Sequence, residues 1–175
     1  MILEPLAAPV AAQDFEQLVE LLTANVHEGA SIGFLAPLPR EEAEAWWRKI
    51  SHELTGGYRV LLVARVDGRV VGSAQLALES RPNGRHRAEV QKVMVLPSYR
   101  RRGIAAALMN ALETAARTRG VRLLFLDTSE GRGGARDFYE ALGYVYVGGI
   151  PGYALDPDGT PAKNAIYYKT LTAGP

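Results

Sequence analysis

The stretch that most constrains this chain runs from Val90 to Ala107, V-Q-K-V-M-V-L-P-S-Y-R-R-R-G-I-A-A-A. An apolar, β-branched run ends at Pro97, three arginines meet Gly103, and a helix-forming run without a breaker follows. This predicts a strand, a tight loop and a helix N-terminus in succession. The first N–H groups of a helix have no intrahelical acceptor, and its dipole favours negative charge there. Gly103 allows a ligand to approach the backbone closely. Arg100, Arg101 and Arg102 stand beside those N–H groups. Together they describe a receptor for an anion, a phosphate foremost.

Turn and periodicity signals order the rest of the chain around this unit. Ile2 to Leu6 reads as a short strand. Pro9 to Val26 carries Phe15, Leu18, Val19 and Leu22 at helical spacing. A second helix runs from Pro39, placed in its first turn, to about Leu54 before Gly56-Gly57. Tyr58–Val66, Arg69–Leu78 and Arg87–Leu96 read as three antiparallel strands, with Asp67-Gly68 as a hairpin turn and Pro82-Asn83-Gly84 as a second turn. A third helix spans Ile104–Arg119. Leu123–Asp127 is a short apolar strand parallel to 87–96, because a helix crosses between them. Gly131–Gly134 is a loop and Ala135–Leu142 a fourth helix. Tyr144–Ile150 and Ala165–Leu171 are strands, with a turn-rich excursion at Pro151–Pro161 that carries a hairpin signal at Asp158-Gly159.

Composition narrows the function classes. At 175 residues the chain suits one domain, 1–175. A formal net charge of +1 gives no global attraction to nucleic acid or membrane. The absence of cysteine removes disulfides, a cysteine nucleophile and a thiolate metal site. His27, His52 and His86 are too scattered for a zinc site, so no metal is expected. No apolar run approaches the ~20 residues that span a bilayer, and M-I-L-E-P-L lacks the pattern of a signal peptide. A cytoplasmic protein, monomeric or homodimeric, is the expectation.

The segment Arg100-x-x-Gly103-x-Ala105 resembles the Arg/Gln-x-x-Gly-x-Gly/Ala signature of the GNAT superfamily of N-acetyltransferases, where this loop holds the pyrophosphate of acetyl-coenzyme A. The element order β-α-α-β-β-β-α-β-α-β-β, reached from turn and period signals, is that of the GNAT fold. The resemblance implies an α+β domain with a mixed, mostly antiparallel seven-stranded sheet flanked by four helices. It implies that Arg100 to Ala106, with Ile104 and Ala105 between them, cradle the pyrophosphate. It also implies a splay between strands 87–96 and 123–127, which frees backbone groups of Val93, Met94 and Val95 for the pantetheine amides. F-Y-E-A-L-G-Y, Phe138 to Tyr144, resembles the second GNAT signature. Ala135, Phe138 and Tyr139 would lie against the cofactor there. An asparagine common in the family is missing from E-G-R-G-G-A, so Thr128, Ser129 or backbone groups would take its place.

The chemistry follows from the thioester's place. From Val95 back to Glu89 is ~20 Å of strand, comparable to the pantetheine arm. Glu89 and Asp127 are the carboxylates nearest that place in sequence. A lysine-like amine costs about 4.6 kcal/mol to deprotonate at pH 7, so a base helps, and either carboxylate could serve. The resemblance to the second GNAT signature implies that Tyr139, a phenol protonated at pH 7, protonates the leaving thiolate. A bland alternative pairs Glu89 with Arg87. Of Trp46 and Trp47, one is expected in the core, and one could wall the acceptor. His27, Glu28, Phe34, Gln91 and Tyr153 are the expected acceptor contacts. The loops Val26–Pro39 and Pro151–Pro161 would form the acceptor's wall.

Longer runs resemble one branch of the family, the tabtoxin-resistance acetyltransferases: V-H-E-G-A-S-I-G-F, P-N-G, R-A-E-V-Q-K-V-M-V-L-P, L-D-T, P-G-Y and A-I-Y-Y-K-T-L. That branch implies a toxin-, antibiotic- or amino-acid-like primary amine as acceptor. Protein N-terminal or lysine acetylation, and a non-catalytic acyl-coenzyme A sensor, are the competing readings.

Overall fold

The computed structural model describes residues 1–129, 135–156 and 158–172. The loop expected at Gly131–Gly134 lies outside them. The elements are β1 (Ile2–Leu6), α1 (Ala12–His27), α2 (Arg40–Thr55), β2 (Arg59–Val66), β3 (Arg69–Leu78), β4 (Arg87–Val95), α3 (Ile104–Arg117), β5 (Leu123–Ser129), α4 (Ala135–Ala141), β6 (Val145–Gly148), β7 (Ala154–Leu155), β8 (Pro161–Ala162) and β9 (Asn164–Thr170). Seven strands form one sheet in the order β1-β2-β3-β4-β5-β9-β6, and β7 pairs with β8 as a separate ribbon. Only β4 and β5 run parallel; every other pairing is antiparallel. This is the mixed seven-stranded sheet with four helices that the sequence led us to expect.

Helix and strand ends differ from expectation by one to three residues, for local reasons. Pro39 is not in the first turn of α2 but precedes it as the N-cap, where its carbonyl accepts from the Glu42 and Ala43 N–H groups. Residues 60–64 of β2 and 70–76 of β3 are buried without interruption, so these strands lack polar alternation, as strands covered on both faces do. Helix α3 presents Ile104, Leu108, Met109, Leu112 and Ala116 to the core. It sits close to the sheet at Gly72, where a Cβ would stand 3.0 Å from the Met94 carbonyl and 3.2 Å from Ile104 and Leu108 side chains. The N-terminus of α3 is thereby held against the end of β4.

Candidate active site

Strands β4 and β5 pair only from Arg87↔Leu123 to Glu89↔Phe125. Beyond Glu89 the two strands part. The cause lies in β4: Gln75 pairs with Gln91 and Ser73 with Met94, so Lys92 and Val93 together oppose Ala74. This is a β-bulge, and it bends the strand that carries it. Lys92 adopts a left-handed φ of +50°. The β5-facing backbone of Val93, Met94 and Val95 consequently has no ladder partner, as the splay requires.

The gap opens toward the start of α3. Gly103 is the N-cap, with φ +76°, and no side chain caps the first-turn N–H groups around Ile104, Ala105 and Ala106. Arg101 also takes a positive φ, +60°. The three guanidiniums are not equivalent, which corrects the sequence reading. Arg100 turns into the fold: its Nη2 donates to Asn25 Oδ1 at 3.0 Å and its Nε to the Val95 carbonyl at 3.4 Å. Arg102 lies 5.0 Å from the Tyr99 ring and donates to the Ser98 carbonyl. Arg101 has no hydrogen bond or ion pair among the described residues and is exposed. Sequence reasoning missed Asn25, a buried polar residue in the apolar stripe of α1. That misfit was the available signal.

A cavity of about 290 Å³ lies where the strands part. It is lined by Glu89, Gln91, Lys92 and Val93 of β4, by Asp127 and Thr128 of β5, by Tyr139 of α4, and by Tyr153. Glu89 does not pair with Arg87, whose guanidinium donates to Glu79 at 3.0 Å instead. Among the described residues Glu89 has no side-chain hydrogen bond or ion pair. Asp127 accepts one from Asn164 Nδ2 at 3.4 Å, and Asn164 Oδ1 accepts from the Ile150 N–H at 2.8 Å. Burial pushes the Tyr139 hydroxyl up to about 12, with Tyr167 and Asp127 adding to the shift. Its ring packs against Phe138, Tyr144 and Tyr167 at 5.1–5.8 Å between centroids. Asp127, then burial and Glu89, raise the pKa of the Tyr153 hydroxyl.

The expected acceptor loops meet beside this cavity. A larger cavity of about 1020 Å³ is lined by Phe34 and its loop neighbours on one side and by residues of the β7–β8 ribbon on the other. His27 and Glu28 line neither cavity. His27 Nε2 instead accepts from the Leu38 N–H at 3.2 Å and ties the loop to the end of α1. Glu28 is exposed and caps α1 through its backbone. One tryptophan is in the core as expected, Trp47, 2 % exposed; half-buried Trp46 stands edge-on to Phe34 at 5.9 Å and lines neither cavity. Ala135 and Phe138 sit on the half-buried side of α4 without lining the cavity.

Lys92 carries no assignment in the sequence beyond its place in the strand 87–96. It occupies the position at which Ala88, Val90 and Met94 would place an apolar side chain if alternation held. A charge in phase with buried neighbours is a bulge signal that a sequence reader can use.

The site's chemistry is a proton acceptor and a proton donor in one cavity, at an open strand edge that leads to an uncapped helix N-terminus. These parts fit an acyl-coenzyme A: anion-binding N–H groups with one uncommitted guanidinium, and unpaired strand groups for an extended amide chain. Among the described residues no group of three His, Cys, Asp or Glu could hold a metal ion, and no helix is long and apolar enough to cross a membrane.

Comparison with known proteins agrees with this geometry. Residues 20–144 match the family model described as acetyltransferase (GNAT) family. An uncharacterised N-acetyltransferase of Azospirillum brasilense is 36% identical over 119 residues, 67% of this chain and 69% of that protein. A ribosomal-protein-alanine N-acetyltransferase from Brucella melitensis superposes with a TM-score of 0.80 at 21% identity, covering 98% of this chain and all of that one. An aminoglycoside 6′-N-acetyltransferase complexed with coenzyme A superposes with a TM-score of 0.76 at 22% identity, covering 100% of this chain and 99% of that one. At those identities the two structures share the fold alone. The opened β4–β5 pair, the uncapped start of α3 and the matching family model agree: this chain belongs to the GNAT family of acetyltransferases.

Proposed function

We propose that the protein acetylates a primary amine of a small molecule, with Glu89 as the principal base, Asp127 as its neighbour and Tyr139 as the acid. The observation that carries this reading is the meeting of an unpartnered Glu89, Asp127 and a protonated Tyr139 in one cavity at the point where β4 and β5 part. Acetyl-coenzyme A supplies the acetyl group as a thioester. The α3 N–H groups and Arg101 hold its pyrophosphate, and the β4 edge from Val93 to Val95 orients its arm so that the acyl end reaches Glu89. Glu89 takes a proton from the incoming ammonium, directly or through water, which supplies the neutral nucleophile. Asp127 is already hydrogen-bonded by Asn164, so its part is to orient the amine. Tyr139 keeps its proton at Oη at every physiological pH; as the nitrogen bonds the acetyl carbon and the carbon–sulfur bond breaks, it gives this proton to the departing sulfur and recovers one from the acylated nitrogen.

The runs shared with the tabtoxin-resistance branch support an acceptor of toxin-, antibiotic- or amino-acid-like size, and a cavity of about 290 Å³ suits that size. The test is thiol release from acetyl-coenzyme A across a panel of small amines and peptides, beside thermal melts with and without cofactor. Release with small amines supports the proposal. A raised melting temperature without release above background would mark an acyl-coenzyme A sensor, and release with peptides alone would mark a protein acetyltransferase.

A further inference from the structure

Resting on the acetyl-transfer reading above, we infer that the acceptor is an amine that also carries a carboxylate, of the amino-acid class, and that Lys92 binds this carboxylate. The cavity carries side chains of both charges. Glu89 and Asp127 line it and are complementary to an ammonium. Lys92 lines it too, with its Nζ 5.7 Å from the Phe34 ring centroid and 5.4 Å from that of Trp46. The two aromatic faces and Gly33, whose added Cβ would stand 3.4 Å from Nζ, fix the ammonium in place. They leave its N–H bonds without acceptors: among the described residues Lys92 has no hydrogen bond and no ion pair.

The surrounding charges explain why that matters. Arg59, the cation whose charge acts on Lys92, is committed elsewhere, donating to Glu53, Gln75 and Gln91. Burial and the Arg59 guanidinium pull the Lys92 pKa down, against the opposing pull of Glu89 and Asp127. A half-buried ammonium with unmade hydrogen bonds is costly unless something compensates it. An anion on the acceptor supplies those bonds and the counter-charge together. A plain amine would bring a further cation to a cavity already lined by Lys92 and Lys163. An amine with a carboxylate matches both signs of charge in the lining, and this match separates it from polyamines and from uncharged amines.

The experiment compares matched pairs, free amino acids and short peptides against their C-terminal amides, which keep the amine and side chain but lose the anion. Each is tested for thiol release and, by calorimetry, for binding to the coenzyme A complex. The acid of a pair should bind and react better by roughly 10- to 100-fold, the size of one charge-assisted hydrogen bond set. Lys92→Met keeps the stem against the rings and removes the charge, and should bring the ratio close to one. Lys92→Arg should retain most of it. A wild-type ratio within about threefold of one, less than such a bond is worth, overturns the inference and leaves acetyl transfer standing. So does a preference that survives in Lys92→Met. Preferential binding of the acids without thiol release from any amine would keep the anion subsite and overturn acetyl transfer instead. The wild-type comparison needs no variant to fold.

Discussion

Replacing Gly103 with valine separates the two demands placed on that position. Gly103 caps α3 at φ +76°, and an added Cβ would meet no atom within 4 Å. The unliganded fold therefore loses only the backbone preference, about 1–2 kcal/mol for an L-residue held in the left-handed region. For a domain of this length that lowers Tm by about 2–8 °C. The proposed ligand would be affected differently, because a β-branched side chain at the N-cap adds bulk beside the N–H groups assigned to its pyrophosphate. At a hundred times Kd, acetyl-coenzyme A stabilises the native state by about 2.7 kcal/mol, or about 5–11 °C. If the side chain weakens binding a hundredfold, the same concentration yields about 0.4 kcal/mol, or about 1–2 °C. The assay is a thermal melt of wild type and Gly103→Val at matched cofactor concentrations. A variant with the modest loss in Tm but the full cofactor shift would refute the placement of the pyrophosphate at α3.

Tyr139→Phe should lower kcat by 10²–10⁴-fold while leaving cofactor affinity near wild type, since the hydroxyl acts on the leaving group; an unchanged kcat with chemistry rate-limiting returns Tyr139 to a packing role. Burial keeps Tyr139 neutral to about pH 12, whereas an unfolded tyrosine ionises near 10. Its contribution to stability is thus intact below pH 10 and is lost as pH rises through about 10–12, as denaturant melts at increasing pH would show. Glu89→Gln should cost most rate at neutral pH and progressively less toward pH 9–10, where more of the amine is neutral unaided; a loss that is constant with pH assigns Glu89 to positioning. Glu113→Ala removes a 5 % exposed carboxylate that accepts from Lys169 Nζ at 2.6 Å, while Lys169 also donates to the Leu142 carbonyl at the end of α4. With Lys169 itself 22 % exposed, solvent screening limits the cost to about 2–3 kcal/mol in chemical denaturation; a loss below about 1 kcal/mol, the range of a surface pair, would mean that solvent carries Lys169 unaided.

The sequence alone determined what depends on local patterns. Apolar period, glycine and proline punctuation and the requirement that parallel strands be joined by a crossover sufficed for the element order and the β4–α3–β5 unit. The same local logic found Gly103, because a helix start after an arginine run binds anions whatever packs around it. Glu89, Asp127 and Tyr139 were named through the resemblance to the GNAT signatures and the thioester position it implies, not by local pattern alone. Only the tertiary structure decided which side chains are free to act. Arg100 looks equivalent to Arg101 in the sequence, but packing puts Asn25 of α1 within 3.0 Å of it and commits its guanidinium there. Glu89 sits two residues from Arg87, yet Glu79 holds that arginine and leaves the carboxylate unpaired. His27 was spent on the Leu38 N–H, and Lys92 was turned into the cavity by a bulge that its in-phase charge hints at and that the register of β3 establishes. Secondary structure follows from neighbours in sequence. The availability of a charge follows from partners 8, 11 or 75 positions away, which meet only after the chain has folded.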